Sequence, residues 1–472
     1  MTTLLWERLL STKRVRDLFN GPASVRVPGD APVRSAFDQD YGRALFSTPV
    51  RRLQDKAQVF PLEPNDSVRT RLTHSLEVSS IARGLGERAE AFIAKTNPYI
   101  NDSRGALATI SATCGLIHDI GNPPFGHAGE TAISSWFEKH RSVFRNFPGA
   151  NVDEQERSQF ALDFLKFEGN AQTQRLLSSL QILADKYGLN MTCGTLSASL
   201  KYVVASDGKN KDIAEAKKHG YFASENDLIQ KIKTEVQTGD SRNPIAFLVE
   251  AADDIAYATV DLEDGIKKSC LNWNTLETEL TQNAKSDLLD EILKATHDKI
   301  DPAKLLGKAW DEAMSISFRT NAIIRMTIAA SKAFEDNYDK IMNGDYHNSL
   351  LKDSTASALA KTCKAIALKH VYSSPQILKL ELMGRRIIWD LLDLYWEAGQ
   401  LIGTDKDKWP DFAKKSFELI SRNYREVCEG HVENAQHGTI PADYYRMQLI
   451  TDQVCGMTDS FAVTLHRELM NG

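Results

Sequence analysis

The chain has 472 residues, 42% hydrophobic and 25% charged, with a formal net charge of −6. That composition fits a soluble globular protein with a large core and more than one packing unit. It excludes the strongly basic balance by which a whole protein attracts nucleic acid, so anion recognition is left to local cations. Four of these, Arg51, Arg52, Arg69 and Arg71, precede or open the first motif.

Met1 to Arg16 mixes apolar and charged residues without the apolar run of a secretory signal, and no later stretch approaches the roughly 20 apolar residues of a membrane span. A cytoplasmic location with no membrane partner is expected. Residues 21–50 are dense in breakers (Gly21, Pro22, Pro28, Gly29, Pro32, Gly42) and read as irregular. From about Thr70 the pattern becomes helical, with Leu72, Leu76, Ile81 and Leu85 at four-to-five-residue steps. A second helix is expected over Gly105 to Ile117, after the capping candidates Asn101, Asp102 and Ser103.

Residues 151–240 are more polar and mixed, as an insertion is. Further helices are predicted over Pro244 to Ile266, Thr275 to Thr296, Pro302 to Phe334, Ser354 to Lys369, Pro375 to Leu401 and Pro441 to Leu469. Strand-like alternation is scarce, so the fold class is all-α. The six cysteines (Cys114, Cys193, Cys270, Cys363, Cys428, Cys455) lie far apart with no CxxC pair. This argues against a disulfide framework and a zinc-thiolate site, and reduced thiols mostly in the core are expected.

The most informative segment runs from Gly115 to His127 and sets His118 beside Asp119 where Gly121, Pro123 and Pro124 stop a helix. A cation near that helix end can be reached by both side chains and is favoured by the carbonyl-rich C-terminus. Alone, the pair reads more readily as a helix-end polar pair. Upstream, His74 lies one turn after Arg71 on the same helical face. Downstream, Asp253, Tyr257 and Asp261 step by four along an Ala/Ile/Leu/Val-rich helix. Carboxylates on such a stripe are costly to bury without a cation or ligand; the alternative is a solvated edge, since Glu250, Asp254, Glu263 and Asp264 are acidic too. Two imidazoles and two carboxylates suit Mn²⁺, Fe²⁺, Co²⁺, Ni²⁺ or Zn²⁺ and leave room for water or substrate oxygens.

The order His74, His118-Asp119, Asp253 resembles the H…HD…D signature of the HD superfamily of helical metal-dependent phosphohydrolases. The blocks Trp6 to Ser11, Arg51 to Pro61, Arg69 to His74, His118 to Glu130 and Glu250 to Asp261 resemble, in order and wording, the dGTP triphosphohydrolase family. The likeness spans residues 6 to about 265; beyond that it extends only to helical character and length. It implies hydrolysis of dGTP, with other dNTPs open, to the deoxynucleoside and intact triphosphate by attack at the α-phosphorus. It implies a divalent cation, Mn²⁺ or Mg²⁺ first, held by His74, His118, Asp119 and Asp253. It also implies a homo-oligomer, a hexamer in bacterial members, and for some relatives single-stranded DNA binding, to which Lys13-Arg14 or Lys414-Lys415 would contribute.

The same resemblance gives Arg71 the triphosphate, with an exposed surface arginine as the other reading. It makes His127 and Glu130 the acid-base pair, and assigns Gln58, Tyr257 and Asp261 to the deoxyribose, Gln54 competing with Gln58. Lys201, in Leu200-Lys201-Tyr202, would approach the phosphates; a solvated lysine is the alternative. Many HD phosphohydrolases carry a second His where this chain has Asn122, which points to a single metal. The expected organisation is an N-terminal segment at 1–35, an HD core at 36–275 with the polar insertion near 150–240, and a C-terminal helical region at 276–472. Two rivals remain: an HD phosphodiesterase or nucleotidase, and a nucleotide-sensing or DNA-binding HD scaffold.

Overall fold

The structure, a computed structural model, describes residues 3–21, 34–149, 152–181, 186–301 and 305–470. Among them every regular element is helical, and the only β-type pairings are the isolated bridges Arg14 with Thr192 and Ala57 with Thr70. The elements that build the site are α1 (Ala36–Leu45), α2 (Arg71–Ile93), α3 (Ala106–Ile117), α4 (Gly126–Lys139), α5 (Gly169–Arg175), α6 (Cys193–Ser199), α7 (Pro244–Lys267), α8 (Lys308–Asp336), α9 (Pro375–Gly399), α10 (Ala442–Cys455) and α11 (Asp459–Met470). No described helix is long and apolar enough to cross a membrane.

Helix α2 starts at Thr70, whose side chain accepts the Thr73 N–H in a reciprocal capping box. It packs along α3, every residue of which is buried. Small residues set how closely they approach. A Cβ at Gly86 would stand 2.8 Å from the Ala108 backbone, and one at Gly115 would stand 2.8 Å from Ser79. The buried stripe of α2 is therefore His74, Ser75, Val78, Ser79, Ala82, Leu85 and Gly86, while Leu76 is 44% exposed. Of the apolar residues that predict this helix, Leu85 is buried, Leu72 and Ile81 pack at the edges of the cores, and only Leu76 faces out. Helix α7 crosses the pair after Asn243 caps it and Pro244 opens it.

Two apolar cores result. One joins Trp6 and Leu9 to α2, α3, α7, α8 and the chain up to Ile377. The other joins Val15, α4, the segment from Phe144 to Val236, α9 and α10. Residues beyond 276 thus divide between both cores, and the polar stretch near 150–240 supplies buried helices to the second.

Several predicted bounds differ. The breaker-rich stretch contains α1, capped by Ser35 with Asp38, and a short helix Thr48–Arg52; Pro22, Pro28, Gly29 and Pro32 lie outside the described residues. Gly105, at φ +82°, precedes α3 in place of the side-chain caps Asn101 to Ser103. The helix expected over Thr275 to Thr296 is two, Trp273–Asn283 and Asp287–His297, because Ser286 caps a new start on the Leu289 N–H. Pro302 lies outside the described residues, and α8 begins at Lys308. The segment Ser357–Ile366 ends in a π-type turn, Ala367–Tyr372. The last predicted helix breaks between Cys455 and Asp459 into α10 and α11. All six cysteines are free, five buried and Cys270 half-buried.

Candidate metal centre and substrate cavity

The crossing of α2, α3 and α7 brings His74, His118 and Asp253 together, with donor atoms all within 4.8 Å of one another. His74 Nε2 lies 3.4 Å from Asp253 Oδ1, His118 Nε2 lies 3.5 Å from the same oxygen, and His118 Nε2 is 3.6 Å from Asp119 Oδ2. Ligand atoms about 2.1 Å from a common ion stand roughly 3.0–3.4 Å apart in octahedral or tetrahedral geometry, so these separations fit a shared cation. The chemistry of the donors agrees. His118 Nδ1 donates to the Gly115 carbonyl at 2.7 Å, which turns the lone pair of Nε2 inward, and that buried Nε2 has no hydrogen-bond partner.

The charges also ask for a cation. Burial disfavours a charged His118, yet Asp119 and Asp253 hold its pKa up at about 9, so without an ion a proton occupies the Nε2 position that a cation would take. Burial likewise opposes the charges of Asp119 and Asp253, but Arg71 and His118 hold Asp119, and Lys201 and His118 hold Asp253, well below the ordinary carboxylate range. Both carboxylates are ionised at neutral pH.

The centre opens on a cavity of about 420 Å³. Arg71 is buried on its wall and pairs with Asp119, so it is no surface arginine. The other arginines of the predicted basic cluster point elsewhere. Arg69 is held by Glu77, Glu263 and Asp264, Arg51 bonds Thr48 and Arg52 bonds Tyr424; among these four only Arg71 reaches the cavity. Lys201 lines it with Nζ 3.3 Å from Asp253 Oδ2; burial disfavours its charge, but Asp253 and Glu250 raise its pKa and keep it protonated. Lys13 and Arg14 are committed to Glu235 and Asp40.

His127 projects from the first turn of α4 into the cavity, its side chain 80% exposed, while Glu130 beneath it is buried. Glu130 Oε2 receives His127 Nδ1 at 2.7 Å, and Oε1 accepts the Gly169 N–H at 2.7 Å. The bond to Glu130 raises the His127 pKa above its ordinary value, against partial burial. Gly126, at φ +58°, begins this turn because a Cβ there would stand 2.5 Å from Arg71 Nη2.

Gln58 and Tyr257 line the cavity, whereas Gln54 is exposed and off its wall. Asp261 is fully buried behind the wall. Its Oδ2 accepts the Tyr372 hydroxyl, its Oδ1 has no partner, and burial pushes its pKa up to about 7. Tyr372 stacks on Tyr257, ring centres 5.9 Å apart. Sequence reasoning missed Tyr372, Lys218, which pairs with Glu168 at 2.7 Å, and Glu381; all three line the cavity. No motif marks them. The π-type turn that delivers Tyr372 is not written in a spacing, and Glu381 belongs to the exposed side of α9.

Comparison with known proteins agrees with this geometry. Residues 71–157 match the HD domain and residues 352–468 match the phosphohydrolase-associated domain. The chain is 36% identical over 487 residues to a deoxyguanosinetriphosphate triphosphohydrolase-like protein of Listeria monocytogenes, covering 98% of this chain and 99% of that one. It is 32% identical to the deoxyguanosinetriphosphate triphosphohydrolase of Enterobacter sp. (strain 638), covering 92% and 93%, and 30% identical to that of Klebsiella pneumoniae (strain 342), covering 96% and 97%. An HD motif whose His118 meets His74 and Asp253 at one point, followed by the associated C-terminal domain in near full-length register with such relatives, places this chain in the deoxyguanosinetriphosphate triphosphohydrolase family of HD-domain hydrolases.

Proposed function

We propose that the protein hydrolyses dGTP to deoxyguanosine and inorganic triphosphate, with a divalent cation, Mn²⁺ or Mg²⁺, held by His74, His118, Asp119 and Asp253. The observation that carries this reading is the convergence of the cation centre, Arg71, Lys201, Lys218 and the His127–Glu130 pair on one cavity. The cation supplies neutralisation of phosphate charge and a more acidic water. Water oxygen bonds to the α-phosphorus, the bond from that phosphorus to O5′ breaks, and the triphosphate leaves whole.

Arg71, Lys201 and Lys218 bind the phosphates and stabilise the charge that builds on them. His127, protonated through its bond to Glu130, gives its proton to O5′ and so makes deoxyguanosine a neutral product. Gln58 offers its amide to the 3′-hydroxyl, and its buried, unpartnered Oε1 supports that role; Asp261, behind the wall, acts on the sugar through Tyr372, whose hydroxyl it accepts. The Tyr257 ring, backed by Tyr372, fills the space a 2′-hydroxyl would need. Glu381 provides an acceptor suited to the N1–H and N2–H edge of guanine. An assembly of copies is supported by the exposed stripe Ile316, Ile324 and Ile328 on α8.

The test is incubation with Mn²⁺ and each of the four dNTPs and GTP, resolving nucleoside, triphosphate and orthophosphate. Triphosphate and deoxyguanosine from dGTP, little product from GTP, and loss of both in His118→Ala are expected. Orthophosphate or dGMP as the first product would refute the reading.

A further inference from the structure

Helix α11 begins at Asp459, whose side chain is buried behind the cavity. Its Oδ2 accepts the Ala57 N–H at 3.0 Å and its Oδ1 accepts the Phe125 N–H at 2.9 Å. Ala57 and Phe125 are both on the cavity wall. The first immediately precedes Gln58; the second precedes α4, which carries His127. Lys56 ties the same three segments from another side, its buried Nζ donating to the Asn122 carbonyl at 2.6 Å and the Cys455 carbonyl at 2.7 Å. Ser460 adds a hydrogen bond to Asp55 at 2.8 Å.

Two charged side chains are thus buried where apolar packing would hold the helices together at lower desolvation cost. What they add is direction: each carboxylate oxygen fixes one backbone N–H, and the ammonium fixes two backbone carbonyls. One of those atoms belongs to Phe125, a non-glycine residue at φ +63°, a conformation that persists only where its surroundings hold it. Gln58 and His127 therefore take their mutual spacing from a turn more than 300 residues further along the chain.

We propose that Asp459, with Lys56, is a positioning residue for the hydrolytic reaction, through which the phosphohydrolase-associated region sets the sugar-binding segment and the His127 turn in register. The proposal rests on the reading under Proposed function for the roles of Gln58 and His127. Its test uses the full chain with Asp459→Asn, which keeps shape but replaces one acceptor by a donor, and Lys56→Met, which removes the ammonium.

Amide exchange in residues 55–60 and 122–128 is expected to quicken in both variants. kcat for dGTP should fall by roughly tenfold or more, since ångström-scale misplacement costs up to about 10²-fold. Mn²⁺ affinity should stay within roughly threefold, because the metal ligands are untouched, and KM should change less than kcat. The preference for dGTP over 2′,3′-dideoxy-GTP, which lacks the 3′-hydroxyl, should narrow as Gln58 loosens. A lowered melting temperature with kcat and sugar discrimination unchanged well below it would overturn the proposal. So would variants in which both segments exchange as slowly as in the parent. Absence of triphosphate release by the parent chain would instead strike the functional reading. The exchange data and the kcat ratio on whichever nucleotide it cleaves would still decide this proposal.

Discussion

Replacing Glu130 by Gln isolates the proposed acid-base pair with little change of shape. Glu130 holds two partners, the Gly169 N–H and His127 Nδ1. A glutamine keeps the first with its carbonyl and must then turn its NH₂ toward the imidazole, which can answer only as an acceptor and so as the neutral ring. A charge-assisted hydrogen bond is worth about 1.5–3 kcal/mol; with His127 exposed to water in the cavity, about 1–2 kcal/mol is the fair range. That converts to a fall in kcat of about 5- to 30-fold.

The pH profile gives the sharper reading. The bond to Glu130 raises the pKa of His127, so the protonated, active form survives to higher pH; without the carboxylate the alkaline limb of kcat moves to lower pH. kcat for dGTP from about pH 6 to 9, with the melting temperature as a control, measures both effects. An alkaline limb unchanged in the variant, or one displaced to higher pH, would refute the assignment of His127 as the proton donor.

Three further outcomes are expected. Asp253→Asn should abolish Mn²⁺ binding measured by calorimetry; in the parent, metal at about 100 times its Kd should add about 2.7 kcal/mol of stability, an increment the variant lacks. Gly121→Ala should cost about 1–3 kcal/mol of stability and lower activity with it, because a Cβ there would run into the Gly169 and Thr173 backbone. Asp163 accepts bonds from Tyr444 and the Ala223 N–H, but burial pushes its pKa up to about 7. Its folded-state value lies above the ordinary ~3.9, so stability falls as pH rises between those values, by up to about 1.4 kcal/mol per pH unit. Asp163→Asn should therefore gain stability relative to the parent between pH 5 and 8, measured by denaturant melts; a constant difference would contradict the linkage.

The cluster of His74, His118 and Asp253 was legible because each member sits in a local pattern with a physical cause: His118-Asp119 before a glycine and two prolines, His74 a turn after Arg71, and Asp253 on an apolar helix. What was not legible depended on long-range partners. Arg69 resembles Arg71 in sequence, yet Glu263 and Asp264, almost 200 residues on, claim it. The leucine spacing of α2 showed the helix but not its partner, because the approach to α3 is set by Gly86, Gly115 and the serines, and close helix packing favours small residues over large ones. Helix α1 did leave a signal, the Ser35/Asp38 box, which the surrounding prolines and glycines obscured. Tyr372 and Lys218 reach the cavity from segments without a motif, and Asp459 touches it only through backbone N–H groups.

The central claim, water attack at the α-phosphorus with loss of an intact triphosphate, is tested most directly by turnover of dGTP in H₂¹⁸O with Mn²⁺ and mass analysis of the products. One ¹⁸O in the triphosphate and none in deoxyguanosine is the expected result. Label in orthophosphate, in dGMP or in the 5′-hydroxyl of deoxyguanosine would contradict it.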